Sequence, residues 1–154
     1  MALEISTVGA TVKYAIETTA GTRPTKGYTE IPDVNEAPDF PMDVEVLAAS
    51  NTADTITRYI AGRQDPGGDK EFTLNHTENV ITVWETMVTA SKTAYAQGKQ
   101  TWFEYVYPDA TKSFFFSAIP LSLGNGGIAQ NEVDTIPAHV ICTGIGGWAT
   151  KSTT

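Results

Sequence analysis

Apolar residues recur at three- and four-residue spacing in only one stretch of this chain, from Asn79 to Gln97. Val80, Val83, Trp84, Met87, Val88, Ser91, Ala94 and Tyr95 fall on one stripe of a helix, and Thr82, Glu85, Thr86, Thr89 and Lys92 on the opposite face. The ends of this helix, over 77–98, carry suitable chemistry. Thr77 or Asn79 can cap the first turn, Glu78 and Glu85 sit toward the positive end of the dipole, and Gly98 can terminate the last turn. One helix must bury its stripe against something else, and every other ordered segment has strand character. The pattern predicts a mainly β fold: an antiparallel β-sandwich or barrel of roughly six to eight short strands with one flanking α-helix. A chain of 154 residues is enough for one such domain over 1–154.

Strand signals flank the helix on both sides. From Thr11 to Thr18, Val12, Tyr14 and Ile16 alternate with Lys13, Ala15 and Glu17, the mark of a half-buried strand. Thr19–Gly27 reads as a loop, and Thr29–Val34 as a short extended piece. Pro32, Pro38 and Pro41 then exclude a helix and a central strand. Asp43–Ala48 alternates again, with Val44 and Val46 opposite Asp43 and Glu45, and Glu71–Asn75 is a strand through Phe72 and Leu74. After the helix, Gln100–Tyr107 carries Trp102, Phe103, Tyr105 and Tyr107. Pro108-Asp109-Ala110-Thr111 turns the chain, and Lys112–Ile119 returns with Phe114, Phe115 and Phe116, which makes a hairpin. A loop around Gly124-Asn125-Gly126-Gly127 leads to a last strand near Ala138–Ile145 and a polar C-terminal tail over 148–154.

Ser50–Lys70 fits this scheme least well. A short strand at Thr55–Ala61 lies between turn-rich ends, and Asp65-Pro66-Gly67-Gly68 is a strong turn signal because proline fixes φ and glycine supplies positive φ. Connections this long inside a compact domain are usually functional. Residues 50–70 are therefore read as an arm that reaches a neighbouring subunit, with Arg58, Tyr59, Arg63, Gln64, Asp65 and Pro66 as its contact residues.

Motifs for chemistry are missing or incomplete. Gly124-x-Gly126-x-x-Ala129 and Gly144-x-Gly146-x-x-Ala149 mimic a dinucleotide fingerprint, but neither is followed by a helix, so both read as turns. Lys26-Gly27 reverses the order a P-loop needs. His139 and Cys142 would point to opposite faces of a strand, and His76 is isolated, which argues against zinc and against a hydrolase triad. Asp33, Glu36, Asp39, Asp43 and Glu45 cluster without the spacing of a calcium loop and read as a solvated acidic face. The expectation is a non-enzymatic protein with no cofactor and no metal. Cys142, the only cysteine, lies beside Val140 and Ile141 and reads as a buried thiol. The opening residues lack a signal-peptide pattern and no segment is long and apolar enough to span a membrane, so cytoplasmic synthesis is expected and the Asn75-His76-Thr77 sequon reads as unused. With 10 basic against 18 acidic residues, the net charge of −8 disfavours stable binding to nucleic acid.

The order of these features resembles the major tail tube proteins of long-tailed, siphovirus-like bacteriophages and prophages. The likeness runs over about residues 5–148, through Gly27-Tyr28-Thr29-Glu30-Ile31-Pro32-Asp33-Val34, Asp43-Val44-Glu45-Val46 and the most recognisable stretch, Ile60-Ala61-Gly62-Arg63-Gln64-Asp65-Pro66-Gly67-Gly68. It continues through Phe72-Thr73-Leu74, the single helix and the aromatic hairpin. The resemblance implies hexameric rings stacked into a hollow tube in the virion, assembled in the bacterial host cytoplasm, through which genome DNA passes without stable binding. It also implies contacts with tape measure, tail terminator and distal tail proteins. An acidic lumen fits the net charge, with Asp43, Glu45 and Glu71 as candidates on polar strand faces. The competing reading is a carbohydrate-binding or adhesin β-sandwich module that uses exposed aromatics.

Overall fold

The computed structural model describes residues 4–153; Met1–Leu3 and Thr154, the end of the expected polar tail, lie outside them. Seven strands form one antiparallel sheet: β1 (Thr11–Ile16), β2 (Thr29–Glu30), β3 (Val34–Glu36), β6 (Asp69–Asn75), β7 (Thr101–Val106), β8 (Lys112–Pro120) and β9 (Thr135–Thr150). Their spatial order is β2-β1-β7-β8-β9-β6-β3. β4 (Asp43–Ala48) and β5 (Tyr59–Asp65) form a separate two-stranded sheet, and α1 (Glu78–Ala96) joins β6 to β7. The β-rich architecture with one helix agrees with the expected fold class.

The helix forms where its stripe predicts. The Thr77 hydroxyl accepts from the Val80 N–H at 3.1 Å, which caps the first turn. At the other end Gly98 takes φ +77, and the Gly98 and Lys99 amides donate to the carbonyls of Tyr95 and Ala94. Val80, Trp84, Met87, Val88, Ser91 and Ala94 are buried, whereas Tyr95 is exposed and falls outside the stripe assigned to it. The buried indole N–H of Trp84 donates to the Leu121 carbonyl at 2.8 Å, which removes the cost of an unpaired donor.

The helix covers one face of a curled sheet. Beneath it Phe103 and Phe116 stack with centroids 5.1 Å apart, Phe72 packs on Phe103, and Phe40 lies 4.3 Å from Phe116. Each fully buried aromatic of this kind contributes about 1.5–3 kcal/mol through burial alone. The opposite face is also covered at its centre. The Arg23 guanidinium sits 4.0 Å above the Phe115 ring and Tyr28 meets that ring edge-on. Ser113 to Ala118 are consequently buried without alternation.

Three corrections concern the C-terminal third. The last strand runs to Thr150, so Trp148, Ala149 and Thr150 belong to β9 and not to the polar tail. Gly144 and Gly146, which read as a turn, lie inside this strand, whereas Gly124 and Gly126 lie in a loop as expected. A Cβ on Gly146 would stand 2.8 Å from the Trp102 ring and 3.2 Å from the Phe115 Cβ, so close packing requires glycine there. Register shifts between Phe115 and Phe116 and between Ser117 and Ala118 mark the bulges that curl the sheet. Cys142 is half-buried, not buried as expected.

Candidate functional site

β4 and β5 pair antiparallel, from Asp43 opposite Asp65 to Ala48 opposite Tyr59, with one irregularity between Val44 and Val46. A Cβ on Gly62 at that irregularity would meet the Glu45 Cβ and carbonyl at 3.1 Å, so glycine permits the close approach. The strands pack against each other and make no comparable contact with another element of the described chain. Apart from half-buried Gly62, every residue of both strands is exposed. Val44, Val46, Leu47, Tyr59 and Ile60 therefore present an apolar surface to solvent, and Ile56 at the tip is 76% exposed. These side chains make the hairpin the candidate interaction surface of the domain.

The tip is ordered by its own polar groups. The Ala49 amide donates to the Arg58 carbonyl, and the Arg58 amide donates to the Ser50 hydroxyl. The Asp54 carboxylate accepts from the Asn51 amide at 2.8 Å and from the Arg58 guanidinium at 3.0 Å. Two backbone hinges set the hairpin off from the sheet. Met42 takes φ +56, uncommon for a residue with a Cβ, just before β4. After β5, Gly67 takes φ +90 and its amide donates to the Asp65 carboxylate at 2.9 Å. Pro66, between β5 and β6, supplies no backbone donor.

Arg58 thus stands at the tip, Tyr59, Arg63, Gln64 and Asp65 on β5, and Pro66 in the exit turn. The arm differs in extent from the sequence expectation. It begins at Asp43 rather than Ser50, its second strand is Tyr59–Asp65 rather than Thr55–Ala61, and Asp69 and Lys70 already belong to β6. Asp43 and Glu45 lie on β4 and line a shallow depression with Arg63, Gln64 and Asp65. Glu71 is elsewhere, on β6, opposite His139 and 4.0 Å from its Nε2. The three acidic candidates do not form one cluster with that geometry.

At the hairpin base lies a groove of about 680 Å³. Phe40, Met42, Tyr105, Tyr107, Phe114 and Trp148 supply its apolar lining, and Glu36 and Asp39 are the acidic residues in its wall. No lysine, arginine or histidine lines it. The Tyr105 hydroxyl donates to the Pro38 carbonyl at 2.7 Å, and burial holds this phenol far above its ordinary range. Lys70, outside the lining, donates to the Asp39 carbonyl at 2.7 Å with its ammonium 4.8 Å from the Phe40 centroid. Sequence reading missed this groove, because Phe40 lies in the proline-rich segment and Trp148 in the stretch read as tail.

Both histidines face carboxylates: His76 pairs with Asp134, and His139 lies 3.1 Å from Asp69. Among the described residues no three potential ligands gather for a metal ion. Burial pushes the Cys142 thiol up, which makes it a poor nucleophile at neutral pH. Two carboxylates, Glu17 and Glu104, are buried. Glu104 accepts from the amide and hydroxyl of Ser152, pinning the tail to the sheet. Burial disfavours the ionised form of Glu17, yet donors from Gln100, Trp102 and Gly21 outweigh it and hold the carboxyl below its ordinary value.

No family model matches the sequence, and no curated protein matches it. Among solved structures, a chain of the cryo-EM structure of the anti-feeding prophage (AFP) baseplate, six-fold symmetrised, is similar in fold. Its TM-score is 0.61 at 8% identity, over 94% of this chain and 95% of that one. The two share an architecture from end to end.

Proposed function

We propose that this chain is a structural, non-enzymatic subunit of a phage-tail-like particle, and within it the subunit that forms the tail tube. The observation that carries this reading is the end-to-end fold match to a chain of a six-fold symmetrised prophage baseplate. The projecting hairpin supports it, since an apolar arm unsupported by its own domain suits an assembly that supplies the support. Six copies close into a ring and rings stack head-to-tail into a hollow tube. Tape measure, tail terminator and distal tail proteins are its further partners. Assembly takes place in the host cytoplasm and the product is a virion or virion-like particle. An acidic channel lets DNA pass without adhering, consistent with a net charge of −8.

The test is negative-stain electron microscopy of the purified chain across a concentration series, with sedimentation alongside. Six-fold rings or tubes with a central channel are expected. A compact monomer at every concentration counts against the reading. One observation favours the carbohydrate-binding alternative: the Trp148 indole is 62% exposed beside Tyr107 at the groove. A monomer with saturable affinity on a glycan array would establish it instead.

A further inference from the structure

β2 and β3 end the sheet at opposite edges, yet only residues 31–33 join them, so the sheet curls until those edges nearly meet. The aromatic groove opens beside this seam and takes its walls from Thr11 and Val12 of β1 and Val34–Glu36 of β3. Its floor is a run of neighbouring rings. Phe114 lies 5.6 Å from Phe40 and 5.4 Å from Trp148, and Trp148 lies 6.3 Å from Tyr107. These rings are tilted or edge-on to one another, by 31° to 68°, and so suit a rounded guest better than a flat one.

Charge narrows the choice of guest. Glu36 and Asp39 are exposed in the wall, and among the described residues neither carboxylate takes part in an ion pair. Lys70 and Lys151 stand close by but are turned to the backbone, donating to the carbonyls of Asp39 and Tyr107. Phe40 already serves one cation, the Lys70 ammonium. An anion meets repulsion here, and a sugar finds few donors, since the Tyr105 hydroxyl is given to the Pro38 carbonyl. A primary ammonium holds its water strongly. An alkylated ammonium carries its charge with little hydration, rests on π-faces and is balanced by nearby carboxylates.

We propose that the groove binds a small organic cation bearing a quaternary or alkylated ammonium group, held against Trp148, Tyr107 and Phe40, with Glu36 and Asp39 balancing its charge. The site goes beyond the tube reading and does not depend on it, because it uses no residue of β4 or β5. It gives the groove a cationic occupant rather than a sugar.

Isothermal titration calorimetry of the full-length protein with choline reads the site directly. Saturable binding at about millimolar affinity is expected, the level that a few cation–π contacts support. The uncharged tert-butyl analogue of choline has the same shape and should bind about tenfold more weakly. Phosphocholine, whose phosphate faces the same carboxylates, should also bind more weakly than choline. Trp148→Ala should cost about tenfold in affinity, with an unchanged circular dichroism spectrum because this side chain is exposed. Glu36→Gln with Asp39→Asn should cost about fivefold and flatten the salt dependence of binding. No saturable choline binding, equal affinity for the uncharged analogue, or full affinity in Trp148→Ala would overturn the inference. Saturation by N-acetylglucosamine in place of choline would overturn it in favour of the sugar reading.

Discussion

The β7–β8 and β4–β5 hairpins use similar lengths of extended chain but sit in opposite surroundings. β7 and β8 are flanked by β1 and β9 and covered on both faces, so that Phe103, Phe115 and Phe116 are wholly buried. β4 and β5 have no flanking strand, and their valines, leucine and isoleucine face water. An isolated two-stranded ribbon is marginal in water. The first hairpin therefore holds the domain together, while the second, on the proposed function, depends on the neighbour it docks against. Fold stability and assembly are assigned to different residues, and substitutions can separate them.

The largest effect on stability should come from the covered hairpin. Phe116→Ala removes a ring that touches Phe103, Phe40 and Tyr105 and should cost about 3–5 kcal/mol in urea unfolding. A loss below 1 kcal/mol would mean that the core described above is not the one that stabilises the domain.

A smaller effect belongs to Glu17, which anchors the loop end to β7. Glu17→Gln replaces an ionised acceptor of three N–H donors and should cost about 1–3 kcal/mol at neutral pH. The sign of the pH dependence follows from the lowered folded-state pKa. The contribution is complete above the ordinary glutamate value of about 4.5 and is lost as pH falls through the lower folded value. Urea midpoints should therefore fall on acidification through this range in the unaltered protein, and less steeply in Glu17→Gln. Parallel profiles would remove Glu17 from the account.

The smallest effect sharpens the comparison most. Val46→Thr with Ile60→Thr on the bare hairpin should change monomer stability by no more than about 0.5 kcal/mol, while reducing assembly measured by sedimentation. Destabilisation comparable with Phe116→Ala would show the hairpin packed against the domain after all.

Much of the architecture was legible because it follows from local pattern. The helical stripe and its caps, and the aromatic run from Trp102 to Phe116, identify their elements without reference to neighbours. What was illegible depends on distant cover. Gly144 and Gly146 read as a turn until Ser117 is seen pressing on the first, and Trp102 and Phe115 on the second. Glu17 reads as a polar strand position until the donors of Gln100, Trp102 and Gly21 are found around it. The alternation of Asp43–Ala48 suggests a half-buried strand, yet nothing in the domain covers its apolar side. On the proposed function, that alternation is a surface meant for a partner, which a single chain cannot supply.

The most direct test of this division is amide hydrogen exchange over residues 43–65, measured on the monomer and on the assembled protein. Rapid exchange in the monomer, with strong protection after assembly and little change in β7 and β8, is the predicted result. Equal protection of the hairpin in both forms would contradict the claim that it waits for a neighbouring copy.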